Sequence, residues 1–490
     1  MHEAIIHILN EWISWRKETF KEDGLILPDK EINHSEFKKK KKRIFSELNK
    51  ITKDFSTEIP RHSPHYIGHM FSEFTLPALF GHIIGLLYNP NNISSESSKV
   101  GVKIERKTVA QLSKMIGYPK TAVGHFTSGG TIANFEMLHR FKKNSGTSQF
   151  AIFIPNSCHY SWHKGTQLVG ISKEYIHYVD LDQNGRMDTK HLERLLKDRL
   201  KQRITNFAIV SVLGTTELGI PDPIDKIEKI ISSYRSPKIS IWHHIDAAYG
   251  GFLCSLKDSK KLSIAMRTLL KAVGKSDSIT IDPHKLGYTP YSSGCFISKS
   301  SIHYKIARVD APYLDYVDNN QPGLYTLEGS RSVGGALATY MNAKTIGFDE
   351  NGLGKIILRS IKNADQLRKQ LSKVRGLKVI SSCNTNIVCF FITDSSLSLK
   401  KSNRLTKKLY QKINSISELN KNKFYVSKTI LDSQNTKLID KNCSALNIKV
   451  DDSQLFLIRC TIMNPFFESV HFKKNIGSLF VDLIQKILDN

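Results

Sequence analysis

The chain has 490 residues, 40% of them hydrophobic, and a formal net charge of +26. This length is too great for one ordinary core, and with this composition it predicts a globular protein of two or three packed units. The positive charge suits an anionic ligand, but no basic stripe is interleaved with aromatic side chains at a regular spacing, so we expect no nucleic-acid partner.

The first 100 residues are predicted to form an N-terminal helical arm. Apolar side chains recur at helical spacing between Ile5 and Ile13, and the turn from Asn89 to Asn92 ends the arm. The run from Lys38 to Arg43 consists of six consecutive basic residues. We interpret this run as the solvated face of a helix.

Apolar runs and cysteines bear on the location of the protein. No apolar run approaches the ~18 residues of a membrane-spanning helix, and residues 1–17 have no signal-peptide core. The seven scattered cysteines include no Cys-x-x-Cys pair, which argues against a disulfide framework or a thiolate metal site. We therefore expect a cytoplasmic protein with free thiols, no membrane span and no bound metal.

Residues 101–345 are predicted to form the large domain. Short β-rich runs alternate with helical segments such as Ile224 to Ile231, a pattern typical of a mostly parallel sheet covered by helices. Ligands bind such sheets at the carboxyl ends of the strands. The predicted strands are Phe150–Pro155, Phe207–Leu213, Lys238–Ile245, Ser278–Ile281 and Gly294–Ser298.

The first candidate binding motif runs from Thr127 to Thr131 and contains Gly129 and Gly130. Two glycines before a helical segment let backbone N–H groups converge at a helix N-terminus, where a phosphate binds. A plain helix cap explains the same turn. His159 follows the strand that ends at Pro155, which places it at the ligand-binding edge, although a histidine there is often only structural.

Two further loops are candidates. The run from Gly214 to Ile224 leads from a strand into a helix, and Asp222 before Pro223 suits the helix start. The run from Leu327 to Ser332 opens a helix of small residues at Gly334, and it can either cap that helix or contact a phosphate.

An acid and an amine follow two other apolar strands. Asp246 precedes the small residues Ala247 and Ala248, and Lys285 comes directly after His284. Burial disfavours the charged form of a lysine, and the neutral amine is the form that makes a Schiff base with an aldehyde. The two side chains are predicted to face one flat cofactor.

Residues 346–490 are predicted to form a smaller α+β domain. Its last helix is expected near Phe472 to Leu488. The polar stretches from Leu397 to Asn420 and from Ser433 to Ser444 predict long surface loops.

In order and spacing these segments resemble the group II pyridoxal-phosphate-dependent amino-acid decarboxylases, and above all their bacterial tyrosine decarboxylase branch. The resemblance covers residues 55–345 and, in the tail, Arg459 to Pro465. It implies an α/β fold of the type I aminotransferase-like kind, with a mostly parallel central sheet covered by helices, and a homodimer with active sites at the subunit interface. The matching segments are Ser63–Met70, Thr127–Asn134, His159, Gly214–Ile224, His244–Gly251, Asp282–Tyr291 and Leu327–Ser332.

The resemblance gives the matched residues their expected roles. Lys285 attaches the cofactor, pyridoxal 5'-phosphate, and Asp246 pairs with its pyridine nitrogen so that the ring accepts electrons. Ala248 packs against one face of the ring, and His159 stacks on the other and handles a proton. Thr215 or Thr216 lines the floor of the site.

The phosphate and the substrate are assigned in the same way. Gly130 and Thr131 are expected to bind the phosphate, with help from His284 and from Ser330 or Ser332 of the neighbouring chain. Tyr291 is expected to contact the substrate or transfer a proton, and His69 and Phe71 are expected at the substrate mouth, although plain packing explains Phe71 equally well. The segment from Ala307 to Thr326 is shorter than the mobile loop of the animal relatives, so none of its tyrosines is given that loop's role.

The implied reaction is decarboxylation of an aromatic, tyrosine-like L-amino acid to an amine and carbon dioxide. Glutamate is the leading competing substrate, and it needs a cation for its side-chain carboxylate. A carbon–carbon lyase of the sphingosine-phosphate type resembles the chain at Gly129 to Thr131 and at His284-Lys285, but the run from Asp282 to Tyr288 favours the decarboxylases. A basic binding protein without catalysis is a third hypothesis, which the joint presence of the lysine, aspartate and histidine argues against.

Overall fold

The computed structural model describes residues 1–23, 28–311, 321–380, 385–415, 424–469 and 475–489. The chain divides into two compact units, residues 1–62 and residues 63–490. The predicted domain boundaries at residues 100 and 345 stay predictions. Within the described ranges, no helix has the length and apolar character needed to cross a membrane.

In residues 1–23 and 28–62 the first unit has three helices, and none of their residues is buried. The helical spacing from Ile5 to Ile13 is confirmed, and the run from Lys38 to Arg43 lies exposed on the third helix, as predicted. This unit therefore presents apolar as well as basic side chains to its surroundings. The helices are α1 (His2–Thr19), α2 (Asp29–Asn33) and α3 (Ser35–Phe55).

The second unit is organised around a seven-stranded, mostly parallel sheet, as predicted. Both faces of a parallel sheet are usually covered, which explains why the predicted strands Phe150–Pro155 and Phe207–Leu213 are nearly continuous apolar runs. The strands are β1 (Val123–Thr127), β2 (Phe150–Pro155), β3 (Ile176–Val179), β4 (Asn206–Val212), β5 (Ser240–Ala247), β6 (Ser278–Ile281) and β7 (Gly294–Ser298). Their spatial order is β1-β7-β6-β5-β4-β2-β3, and β7 pairs antiparallel with both of its neighbours.

Among the described residues, nine helices belong to the same part of the second unit. Two of them, near Leu76 and Gly334, pack closely because Gly81 lies against the backbone of Leu337, where an added Cβ would come within 2.6 Å of the carbonyl oxygen. The helices are α4 (Leu76–Tyr88), α5 (Gly101–Ile116), α6 (Gly130–Ser145), α7 (Ser161–Leu168), α8 (Thr189–Lys201), α9 (Ile224–Tyr234), α10 (Ile264–Ala272), α11 (Ser301–Lys305) and α12 (Gly334–Thr345).

The part of the remaining chain that the structure describes forms a four-stranded antiparallel sheet with four helices. The predicted last helix is confirmed as Ile476–Asp489, while residues 470–474 lie outside the described ranges. The elements are α13 (Leu353–Leu371), β8 (Leu377–Val379), β9 (Ile387–Ile392), α14 (Leu399–Ser415), β10 (Ser427–Leu431), α15 (Thr436–Ser444), β11 (Leu455–Thr461) and α16 (Ile476–Asp489). The sheet order is β10-β11-β9-β8.

The prediction of long polar loops in this region was wrong, because most of residues 397–420 forms α14 and most of residues 433–444 forms α15. The buried face of α14 mixes Leu409 and Ile413 with polar residues such as Thr406. The Thr406 hydroxyl accepts a hydrogen bond from the Ile392 N–H at 2.9 Å and donates to the Ser402 carbonyl at 2.8 Å. Polar side chains on a buried face are satisfied locally here, so polarity was a poor guide to exposure.

A buried ion pair joins three elements of the large sheet region. The Arg331 guanidinium lies 2.5 Å from Glu105 Oε1, with both side chains less than 5% exposed at 4% and 2%. Arg331 also donates to the carbonyl oxygens of Phe126 at 2.7 Å and Asn92 at 2.8 Å. The motif residue Arg331 thus fixes the segment before α12 to α5 and β1.

Replacing Glu105 tests how much this pair stabilises the fold. Glu105→Gln keeps the shape but leaves the buried Arg331 charge without its carboxylate, so we expect the free energy of unfolding to fall by about 3 kcal/mol. Denaturant unfolding measures the loss. The control Lys197→Ala removes a cation from the exposed pair with Glu193, 3.0 Å apart on α8, and should leave stability nearly unchanged. Equal effects of the two changes would contradict this account.

Candidate active site

A cavity of about 280 Å³ lies at the carboxyl edge of the large sheet. It is lined by residues that follow β1, β2, β4, β5 and β6. Four of these strands, β2, β4, β5 and β6, run parallel to one another. The predicted site residues that line it are Gly130, Thr131, His159, Thr216, Asp246, Ala248, His284, Lys285 and Tyr291.

Three other predicted site residues, Thr215, Ser330 and Ser332, are not part of this lining and make hydrogen bonds elsewhere. The Thr215 hydroxyl accepts from the Ile220 N–H at 3.2 Å and so shapes the loop after β4. The Ser332 hydroxyl accepts from the Gly334 N–H, the first N–H of α12, at 3.1 Å. The Ser330 hydroxyl accepts from the Asn91 side chain at 2.9 Å.

The two residues predicted for the substrate mouth lie next to a lining residue. The ring of Phe71 is 6.0 Å from the ring of Tyr291 in an edge-on arrangement, and His69 stacks on Phe71 at 5.9 Å. Tyr291 is 54% exposed, and its ring lies 4.3 Å from that of His284. These side chains form an aromatic cluster at one side of the cavity. Residues 312–320 of the segment after the lysine lie outside the described ranges.

The glycine pair lies at the start of α6, which begins at Gly130. The first N–H groups of a helix have no acceptor within the helix, so they attract an anion. An added Cβ at Gly130 would lie 2.8 Å from Asp282 Oδ2 and 2.9 Å from the Ala248 Cβ. Only glycine leaves room for both neighbours at this position.

Asp246 at the end of β5 is fixed by three N–H donors. Its Oδ2 atom accepts from Asn134 Nδ2 and Trp162 Nε1, both at 2.9 Å, and its Oδ1 atom accepts from the Ala248 N–H at 3.2 Å. The carboxylate is therefore held in one orientation while it borders the cavity. Neither Asn134 nor Trp162 was assigned a role from the sequence. The signal that could have identified them is their position, Asn134 shortly after the glycine pair and Trp162 shortly after His159.

His159 is half-buried between β2 and α7. Its Nδ1 atom accepts from the Ser161 N–H at 3.3 Å and lies 2.9 Å from the Ser161 hydroxyl. Burial lowers the pKa of the imidazole below its ordinary value; the nearby Asp246 charge opposes this effect and Lys285 adds to it. At neutral pH the ring is therefore uncharged.

The amine of Lys285 is paired with a buried carboxylate that the sequence analysis had not singled out. Lys285 Nζ lies 3.1 Å from Asp282 Oδ2, and His284 Nε2 lies 3.5 Å from the same oxygen. Asp282 is only 2% exposed, and its Oδ1 atom has no hydrogen-bond partner among the described residues. Burial lowers the pKa of His284, an effect that Asp282 opposes. The cavity thus holds an amine, two carboxylates and two imidazoles around open space.

Comparison with known proteins shows the family. The model of the pyridoxal-dependent decarboxylase conserved domain matches residues 27–393. The L-tyrosine decarboxylase of Levilactobacillus brevis is 26% identical over an alignment 497 residues long, and the alignment covers 82% of this chain and 79% of that protein. The L-aspartate decarboxylase of Thermococcus kodakarensis is 28% identical over 317 residues, covering 64% and 77%.

Solved structures show the fold. The Oryza sativa TDC with PLP and tryptamine superposes with a TM-score of 0.75 at 16% identity, covering 100% of this chain and 99% of that one. Mouse CSAD in the apo form gives a TM-score of 0.71 at 21% identity, covering 87% and 84%. The predicted type I fold of pyridoxal-phosphate enzymes is confirmed.

Gly130→Ala tests the tight contact at the start of α6. The added methyl group is expected to weaken pyridoxal phosphate binding roughly tenfold or more, since overpacking costs about 1–3 kcal/mol. An absorbance titration of the purified protein measures this affinity. As a control, Ser145→Ala changes the opposite end of α6, away from the cavity, and this variant should bind the cofactor as the unaltered protein does. Normal binding by Gly130→Ala would show that the ligand does not approach this turn.

Proposed function

Because this chain belongs to the pyridoxal-dependent decarboxylase family, we propose that it decarboxylates an aromatic L-amino acid, tyrosine or a close analogue, to the amine and carbon dioxide. Membership makes the protein a pyridoxal-phosphate-dependent carboxy-lyase, which favours this reaction over the carbon–carbon lyase and the non-catalytic binding protein. The aromatic substrate is the proposed part.

The cavity fits pyridoxal phosphate. An amine at Lys285 and a fixed carboxylate at Asp246 border the same space, and Gly130 lets the start of α6 pack closely against Asp282 and Ala248 in the cavity wall. Buried oxygens without a partner among the described residues, Asp282 Oδ1 and Asn134 Oδ1, also belong to lining residues. This juxtaposition of amine and carboxylate supports the cofactor, and the aromatic cluster of Phe71 and Tyr291 is the observation that carries the proposed substrate.

When bound, the cofactor supplies an electron-accepting ring that takes up the electron pair released as the bond between Cα and the carboxylate breaks. We assign Lys285 to covalent attachment and Asp246 to the pyridine nitrogen, where an anion held by three N–H donors keeps a proton in place. Gly130 and Thr131 bind the phosphate through the first N–H groups of α6.

His159, Ala248 and Tyr291 complete the assignment. Ala248 offers a small side chain for one face of a flat ring, and His159 offers an uncharged imidazole for the other. Tyr291 lines the cavity beside His284 and is placed to contact the substrate or to return a proton to Cα.

The aromatic cluster supports an aromatic substrate. Tyr66 stacks on Phe71 at 5.6 Å, and Phe71 meets Tyr291 edge-on at 6.0 Å. Aromatic side chains prefer such stacked and edge-on neighbours, and another ring extends the arrangement favourably. The tyrosine decarboxylases among the relatives agree with this choice.

An acidic amino acid is the second candidate, and Arg459 favours it. Its guanidinium donates to the carbonyl oxygen of Thr216, a lining residue, and to the Ser427 hydroxyl at 2.9 Å. Both acceptors are uncharged, so the cation has charge to offer a side-chain carboxylate. The aspartate decarboxylases among the relatives point the same way.

We further propose a homodimer with active sites at the subunit interface and a cytoplasmic location. The apolar helix α4 leaves Leu76, Leu86 and Tyr88 exposed at 47%, 65% and 40%, a surface that suits a second copy. Ser330 and Ser332 do not line the cavity of their own chain, which agrees with a role in the partner's site.

The described cysteines are free, as in reducing compartments, which supports the proposed cytoplasmic location.

Carbon dioxide release identifies the substrate. The purified protein, loaded with pyridoxal phosphate, is assayed with each of the ~20 standard L-amino acids and L-DOPA. We expect release from tyrosine or L-DOPA and none from aspartate or glutamate, because the rim of the cavity is aromatic.

Release from aspartate or glutamate alone would overturn the aromatic proposal in favour of the acidic one. Arg459→Leu then serves as the check, since it should remove activity towards the acidic substrate. The same variant should retain activity towards an aromatic one.

Lys285→Ala tests covalent attachment. Without the amine, the protein cannot bond to the cofactor aldehyde, so borohydride reduction should leave no added mass on the peptide that spans residue 285. Turnover should fall by several orders of magnitude. Attachment and normal turnover in this variant would contradict the assignment of Lys285.

Asp246→Ala is the matched comparison within the same cavity. It keeps the amine, so borohydride should still trap the cofactor on Lys285. Its rate should nevertheless fall about a hundredfold or more, because the ring nitrogen loses its carboxylate. An unchanged rate would remove Asp246 from the proposed role.

A further inference from the structure

Two residues outside the assigned catalytic set connect Asp246 with His159. Asn134 Nδ2 lies 2.9 Å from Asp246 Oδ2 and 3.0 Å from Ser161 Oγ, and Ser161 Oγ lies 2.9 Å from His159 Nδ1. Asn134 is 1% exposed and Ser161 is 0% exposed. The four side chains thus form one buried chain of hydrogen bonds along the cavity wall.

The direction of each hydrogen bond follows from its donors. An amide NH₂ carries two hydrogens and only donates, so Asn134 donates one to Asp246 and one to Ser161. The reversed amide would place Asn134 Oδ1 against the carboxylate, which repels it. The Ser161 oxygen is therefore an acceptor towards Asn134, and its own hydrogen is directed to His159 Nδ1.

A second donor acts on the same nitrogen. The Ser161 backbone N–H points at His159 Nδ1 from 3.3 Å, and a backbone N–H can only donate. His159 Nδ1 is consequently an acceptor twice over, from the hydroxyl and from the N–H. In a neutral imidazole whose Nδ1 accepts, the hydrogen is on Nε2.

We propose that Asn134 and Ser161 are positioning residues that fix His159 as the Nε2–H tautomer, so that His159 offers a hydrogen-bond donor, and not an acceptor, to an anionic group of the ligand. The proposal deepens the function proposed above, because it rests on His159 as part of the site. Asp246 is the fixed end of the chain: its carboxylate only accepts, and this orients every donor up to the imidazole.

Charges around His159 come from several elements. Asp246 on β5 raises its pKa, while Lys285 lowers it; Asp282 raises it and Lys164 on α7 lowers it. These charges bear on whether the ring is protonated. The hydrogen bonds from Ser161 act on Nδ1 alone.

Nitrogen-15 NMR of the full-length protein, labelled at histidine, tests the proposal with and without pyridoxal phosphate. The His159 resonances are identified by their loss in His159→Gln. In the unaltered protein we expect an unprotonated Nδ1 and a protonated Nε2. Ser161→Ala keeps the backbone N–H but removes the hydroxyl donor, so the tautomer balance should shift partly towards a protonated Nδ1. The pKa of His159 should rise by roughly half to one pH unit, because a hydrogen bond to the neutral ring is lost.

Ser145 provides the matched control. On the same helix as Asn134, its hydroxyl accepts from Asn206 Nδ2 at 2.8 Å and donates to the Phe141 carbonyl at 2.8 Å, so it makes the same kind of chain away from the cavity. Ser145→Ala should cost similar stability and leave the His159 spectrum and titration unchanged.

Asn134→Leu keeps the test decisive if Ser161→Ala fails to fold. Leucine is similar in size to asparagine but has neither of the two amide donors. Without them the Ser161 hydroxyl is free to turn, so this variant should shift the tautomer balance in the same direction by a smaller amount. An unchanged His159 pattern in the folded variants, or an equal change in Ser145→Ala, would overturn the proposal. Because the NMR measurement needs no substrate, its outcome is independent of which amino acid is decarboxylated.

Discussion

Parallel pairing of neighbouring strands is the constraint on which the site depends. In β2, β4, β5 and β6 the backbone runs in one direction, so the segments that follow these strands all emerge at the same edge of the sheet. This brings His159, Asp246 and Lys285 to one cavity although they are far apart in the chain. Antiparallel pairing would have sent alternate segments to opposite edges.

Buried polar groups then hold the side chains at this edge of the sheet in fixed positions. Arg331 and Glu105 hold the segment before α12 against the sheet, and the donors around Asp246 hold its carboxylate in place. Each of these groups is costly to bury alone and is satisfied only when its partners are present. Correct packing of the unit and correct orientation of the site are therefore established by the same contacts.

Parts of the surface of the chain carry large apolar side chains. The helices of the first unit bury none of their residues, and α4 exposes apolar side chains. The basic run from Lys38 to Arg43 is exposed on α3 in the first unit, whereas the residues that line the cavity belong to the second unit. Apolar surface of this kind is reasonable in a subunit that assembles with a copy of itself, as proposed.

The sequence by itself determined the elements with strong local signals. The bounds of β2, β6 and β7 agree with the prediction, the glycine pair begins α6, and Lys285 and Asp246 line the cavity as expected. Only the tertiary structure decided that polar residues lie on the buried face of α14. It also decided that Asn134 and Trp162 hold Asp246, from which they are 112 and 84 residues apart in the chain. Periodicity and turn chemistry act over a few residues and can be seen in the sequence, whereas a hydrogen bond between distant residues exists only once the sheet has brought them together.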